Sequence, residues 1–264
     1  MLKSKEKPYI IRGFRMRYIF SLENAEDYDT YHTISEQFKE KLSAYQSVLQ
    51  TKYKLVDLPK AIVWTTPELA TSVFSEVPIP AFTSKNIIYM TPDLSAWKAL
   101  FIEQLEGQDH PEIKAFYEQI SINQVLAIAG HELTHHSDLF LDEFEDDRED
   151  GIWFEEGMCD YLSRKHLLEE REFEELTYIE YKLIRIFNDK YGNHSLEAFG
   201  SSSYGGSLTS IMYDYWRSGF TVKYLVEKKF QNDEMKVFEE YHKWYREGRK
   251  VTLLKYFGVE ELFE

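Results

Sequence analysis

The chain predicts an α+β fold, an α/β first half followed by a helical second half, on three observations. Two β-rich runs, KAIVWTTP and KNIIYMTPD, lie in the first hundred residues, each stopped by a proline. Residues 29–54 carry Ile34, Phe38, Leu42, Tyr45, Val48 and Leu49 at helical spacing. Beyond an acidic stretch at 142–150, nearly everything reads as helix, with a Gly/Ser-rich break, GSSSYGGS, at 200–207.

In chain order, residues 9–20 read as a strand ending in Tyr18, Ile19 and Phe20. The amphipathic helix of 29–54 follows, then the two proline-stopped strands, with VPIPAF between them as an irregular loop. In the second strand, Asn86 and Pro92 bound a short segment, Ile87, Ile88, Tyr89 and Met90, of a kind found at a sheet edge. Ser121 then caps an apolar helix carrying AGHELTHHSDLF, residues 129–140. The natural division is a lobe of residues 1–140, ending in that helix, and a helical lobe of 141–264.

Composition narrows the function classes. The 264 residues suffice for one large core or two lobes sharing a cleft, and 43% hydrophobic with 16% aromatic residues is too much for a disordered chain. A balance of 31 basic against 46 acidic residues, formally −15, repels nucleic acid and anionic lipid, and no basic patch offsets it. The opening is basic but its apolar pieces are broken by Arg12, Arg15 and Arg17, so no continuous signal-peptide core is expected, and no apolar stretch has the length of a membrane span. The lone Cys159 has no partner for an internal disulfide. A cytoplasmic protein with neither a nucleic-acid nor a membrane partner is expected; oligomeric state is not legible.

In HELTH, His131 and His135 are four apart, which on a helix means about 40° of rotation and about 6 Å of rise, so one ion can meet both rings. Glu132 sits about 60° around from His135, beside the ion and not on it, where a general base acting on water belongs. A catalytic zinc site needs a third protein ligand. Glu155 and Glu156, in WFEEGMCDYLSRK, compete for that role. Glu156 has Asp160 one turn later, placed to accept a ligand histidine's second N–H, whereas Glu155 has Cys159; Glu156 is therefore the choice.

His131-Glu132-x-x-His135, twenty residues, then Glu156-Gly157 preceded by Trp153-Phe154 and followed by Asp160, resembles the gluzincin metallopeptidases, the group of thermolysin and aminopeptidase N. Outside the motifs the arrangement is similar to the smaller peptidase-MA-like proteins. The resemblance implies a zincin-like fold, with a small mixed sheet in the first lobe and the cleft between lobes. It also implies one Zn2+ per chain held by His131, His135 and Glu156, Glu132 as base and Asp160 behind His131. YDYWRSGFTVKYL, residues 213–225, is similar to a later family segment and puts the oxyanion-stabilising tyrosine on Tyr215, with Tyr204 and Tyr213 nearby. Two departures stand out: no GAMEN-type exopeptidase signature is present, and Glu155 stands where the thermolysin motif has Asn.

The expected function is zinc-dependent hydrolysis of a peptide or protein substrate by an endopeptidase or oligopeptidase, with Ile87 to Met90 as the strand a substrate backbone joins. The alternative is a latent or inactive peptide-binding module on the same fold. Neither needs calcium at the acidic run 142–150, which lacks the spacing of an EF-hand.

Overall fold

The computed structural model describes residues 16–84, 86–142, 150–200 and 204–263. It is helix-rich with one small mixed sheet, an α+β arrangement. The strands are β1 (Arg17–Ser21), β2 (Ala61–Thr65), β3 (Ala81–Ser84) and β4 (Ile87–Met90). The first part also holds α1 (Tyr28–Lys52), α2 (Pro67–Ser72), α3 (Leu94–Glu103), α4 (Pro111–Gln119) and α5 (Ile122–Thr134). There follow α6 (Ile152–Leu167), α7 (Glu170–Tyr191), α8 (Leu208–Tyr224), α9 (Glu234–Arg246) and α10 (Leu253–Phe257). Residues 9–15, 143–149 and 201–203 lie outside the described set, and with them parts of the first strand, the acidic run and the Gly/Ser break.

The sheet order is β1-β2-β4-β3, with β1, β2 and β4 parallel and β3 antiparallel to β4. This corrects the expected edge strand. Ile87 pairs with both Ala61 and Ser84, and Ile88 with both Ile62 and Thr83, so Ile87, Ile88, Tyr89 and Met90 spend their main-chain groups on two neighbours. Their unbroken apolar run is the signature of an interior strand. The edge beyond them is β3, drawn from the end of VPIPAF: two prolines keep 77–80 irregular, and pairing starts directly after Pro80, where N–H donors resume.

Proline also begins elements here. Pro67 ends β2 and opens α2 at a position where a missing N–H costs nothing, under a Thr66 cap. Ser121 caps α5: its Oγ accepts from the Asn123 N–H, while its own N–H donates to Gln124 Oε1 at 2.8 Å. Ile62, Trp64, Ile88 and Met90 share one sheet face and join Phe38, Leu42, Tyr45 and Leu49 of α1 in an apolar cluster. That cluster continues through α5 and α6 to Phe238 and Trp244 of α9, spanning residues on both sides of position 140.

Two glycines let three helices pack as one layer. A Cβ at Gly130 of α5 would fall 3.2 Å from both Ser163 of α6 and the Tyr45 ring. A Cβ at Gly157 of α6 would fall 2.5 Å from the Ser218 carbonyl oxygen of α8. Helices α5, α6 and α8 thereby carry the sequence-marked residues into one place.

Candidate metal centre

His131 lies in the last turn of α5, His135 caps it, and Glu156 lies in the first turns of α6, all three buried. The Nε2 atoms of the two histidines are 3.1 Å apart, and Glu156 Oε2 is 3.1 Å from His131 Nε2 and 3.5 Å from His135 Nε2. Ligands at the usual 2.0–2.1 Å from a tetrahedral zinc ion stand about 3.3 Å from one another, so the triad has the spacing of three corners around one ion. A donor set of two imidazoles and a carboxylate suits zinc among the common divalent ions.

Each histidine is steered from behind. His131 Nδ1 donates to Asp160 Oδ1 at 3.0 Å, and His135 Nδ1 to Glu155 Oε1 at 2.7 Å. With both Nδ1 atoms so engaged, both Nε2 atoms face the common point. Asp160 therefore falls where the sequence placed it. Glu155, the rejected ligand, has a position that reasoning from helix faces missed: its carboxylate reaches back to His135 on the neighbouring helix, and only the packing of α5 on α6 makes that visible.

The field at the site favours positive charge. Burial works against a protonated His131, but its hydrogen bonds to the Asp160 and Glu156 carboxylates outweigh it and hold the ring up at about 9. Burial also disfavours a charged Glu156, yet His135 and His131 hold its carboxyl well below the usual range. Either protons or a cation would answer this field. His136, on the flank of α5, is held down at about 4 by burial and by the His135 charge, a neutral ring outside the triad. Burial pushes the Cys159 thiol far up, so it is inert as a nucleophile.

Glu132 is buried beside the triad and makes no pair with it. Its Oε2 accepts from Thr83 Oγ1 of β3 at 2.8 Å. Burial raises its carboxyl, while His131, His135 and the Thr83 hydroxyl pull the other way. Tyr215, on α8, has its ring 6.3 Å from that of His131, and its hydroxyl is 3.2 Å from the Tyr204 hydroxyl, itself 3.5 Å from Glu156 Oε1. Phe199 contacts both tyrosine rings. Tyr213 turns the other way and donates to Asn188 Oδ1, so Tyr204 is the tyrosine that accompanies Tyr215.

Two concavities meet at Glu132 and Tyr215. One, of about 350 Å3, is a cleft between β3 and the start of α6, lined by Phe82, Thr83, His135, Glu156 and Tyr204 among others. The other, of about 100 Å3, runs behind His131 between α3, α4, α7 and α8, and its walls include Trp97, Phe101, Tyr117, Met212 and Trp216. At its side the Arg164 guanidinium is neutralised by Asp160 and Glu180. Ile87 to Met90 line neither. Among the described residues no helix is long and apolar enough to cross a membrane. Compared with known proteins, the chain matches no protein-family model, no curated protein and no solved structure.

Proposed function

We propose that this protein is a zinc-dependent peptide-bond hydrolase of zincin-like fold, its active-site cleft lying between the sheet and the helical second half. One observation carries the reading: His131, His135 and Glu156 converge with the spacing of one tetrahedral ion, and Glu132 lies beside them without joining them. A bound zinc ion would supply Lewis acidity, polarising a carbonyl and making water a better acid.

The chain's own residues do the rest. Glu132 takes a proton from the attacking water and delivers it to the leaving amine nitrogen. The Tyr215 hydroxyl, kept neutral because burial and the nearby Glu156 raise it well above 10, donates to the oxyanion that develops on the scissile carbonyl. The free side of β3 offers main-chain N–H and C=O groups to an extended peptide lying in the cleft. The apolar pocket behind His131 is far larger than the ~10–15 Å3 one water needs, and its aromatic walls suit a bulky apolar side chain next to the scissile bond.

The test joins metal analysis to cleavage of a peptide library. Glu132→Gln should retain one zinc per chain and lose turnover, and Tyr215→Phe should lower kcat by about 10²-fold at unchanged zinc content. A wild-type protein that binds zinc and cleaves nothing in the library sinks the hydrolase reading.

A further inference from the structure

The hydrogen bond that β3 sends to Glu132 is the contact the proposed chemistry does not use. Ala81 and Thr83 alternate with Phe82, whose ring stacks on Tyr89, so Thr83 faces α5 while Phe82 faces the opposite side of the sheet. Among the described residues, Thr83 is the side chain that hydrogen-bonds the Glu132 carboxylate, at 2.8 Å to Oε2, with the Glu132 carbonyl oxygen at 3.3 Å from the same hydroxyl. A hydroxyl has one proton to give, and the shorter, charge-assisted partner takes most of it.

We infer that Thr83 is a positioning residue: its hydroxyl fixes the Glu132 carboxylate by Oε2, leaves Oε1 for the reacting proton, and ties the base to the strand beside which a peptide binds. This rests on the hydrolase reading above. A carboxylate unheld at this point turns about its last bond, a broad and nearly free torsion, and Glu156 nearby repels it. Threonine suits the task because its branched Cβ restricts χ1 in a strand, aiming the hydroxyl before substrate arrives. Docking a peptide on β3 and holding the base thus become one mechanical event, since both act on the same four-residue strand.

Thr83→Val keeps the shape and removes the proton donor; Thr83→Ser keeps the donor. For the zinc-loaded protein, Thr83→Val should lower kcat by about 10²-fold, as expected for a misplaced reacting group, while KM and zinc content hold, and Thr83→Ser should recover most of kcat. In the Co2+-substituted protein, whose visible spectrum responds to hydrogen bonding around the ion, Thr83→Val should shift the bands and Thr83→Ser should not. Equal kcat and equal spectra in Thr83→Val and wild type overturn the role. So does a loss of zinc or of thermal stability shared by both variants, which marks a merely structural contact. A wild-type protein that binds metal but cleaves no peptide overturns the hydrolase reading alone, and the cobalt spectra still decide Thr83. A wild type that binds neither Zn2+ nor Co2+ overturns both.

Discussion

His131 and His135 sit one helical turn apart and point their Nε2 atoms at the same place, yet the groups behind them differ. Behind His131, Asp160 is itself gripped by Arg164 at 3.0 Å, and Arg164 by Glu180 of α7 at 2.6 Å, a buried series reaching across two helices. Behind His135 stands Glu155, next in sequence to Glu156, the proposed third ligand, with Cys159 also against the ring. The first support is anchored in the packing of the helical half, and Arg164 offsets the charge that Asp160 adds. The second comes from the residue beside the proposed ligand, on the same helix turn as Glu156.

Removing a triad member erases the comparison, and this is the largest effect expected. His131→Ala, His135→Ala or Glu156→Ala should each weaken zinc binding by far more than the ~10–100-fold contributed by an outer partner, measured by chelator competition. If Glu155→Ala strips the metal and Glu156→Ala does not, ligand and support have been exchanged. Next comes the anchor: Arg164→Met leaves Asp160 and Glu180 buried without their cation and should cost about 3–5 kcal/mol in urea unfolding. A loss well under 1 kcal/mol would mean that water reaches these carboxylates.

The two supports can then be set against each other. Asp160→Asn should lower zinc affinity toward the upper end of the ~10–100-fold range, and Glu155→Gln toward the lower end. The reverse order would make Glu155 the stronger of the two supports. The smallest effect is in pH. His131 is held up at about 9 from an ordinary 6.5, so the metal-free protein binds more protons folded than unfolded between those values. Its Tm should fall as pH rises from about 6.5 to 9, whereas the zinc-loaded protein, with the imidazole neutral at every such pH, should not show this decline. Parallel Tm profiles for both forms would remove His131 as the source.

What could be read from residues alone follows the same division between local and distant. The spacings of His131, Glu132 and His135, and of Glu156 and Asp160, are properties of single helices, and a repeat of 3.6 residues fixes them without reference to the fold. Tyr215 was reachable only through family likeness, and its companion Tyr204 was one of several tyrosines nearby. Glu155 and Thr83 act across elements that meet only after packing, so no spacing announces them. The sheet edge failed for a related reason: whether Ile87 to Met90 is paired once or twice depends on β3, and a four-residue strand opening after two prolines leaves almost no alternation to detect. The start of α2 was obscured because a proline reads as a stop until its cap is seen.

Gly157 follows Glu156 directly, and its missing methyl group is what permits α8 to lie against α6 at Ser218, one turn from Tyr215. The span between Glu156, the proposed ligand, and Tyr215 is thus gauged by the very next residue in the chain. A methyl group added there would lever α8 outward and carry Tyr215 with it while leaving the triad whole. The protein would keep its ion and lose its reach, and a survey scoring turnover alone would mistake a spacer for a reagent.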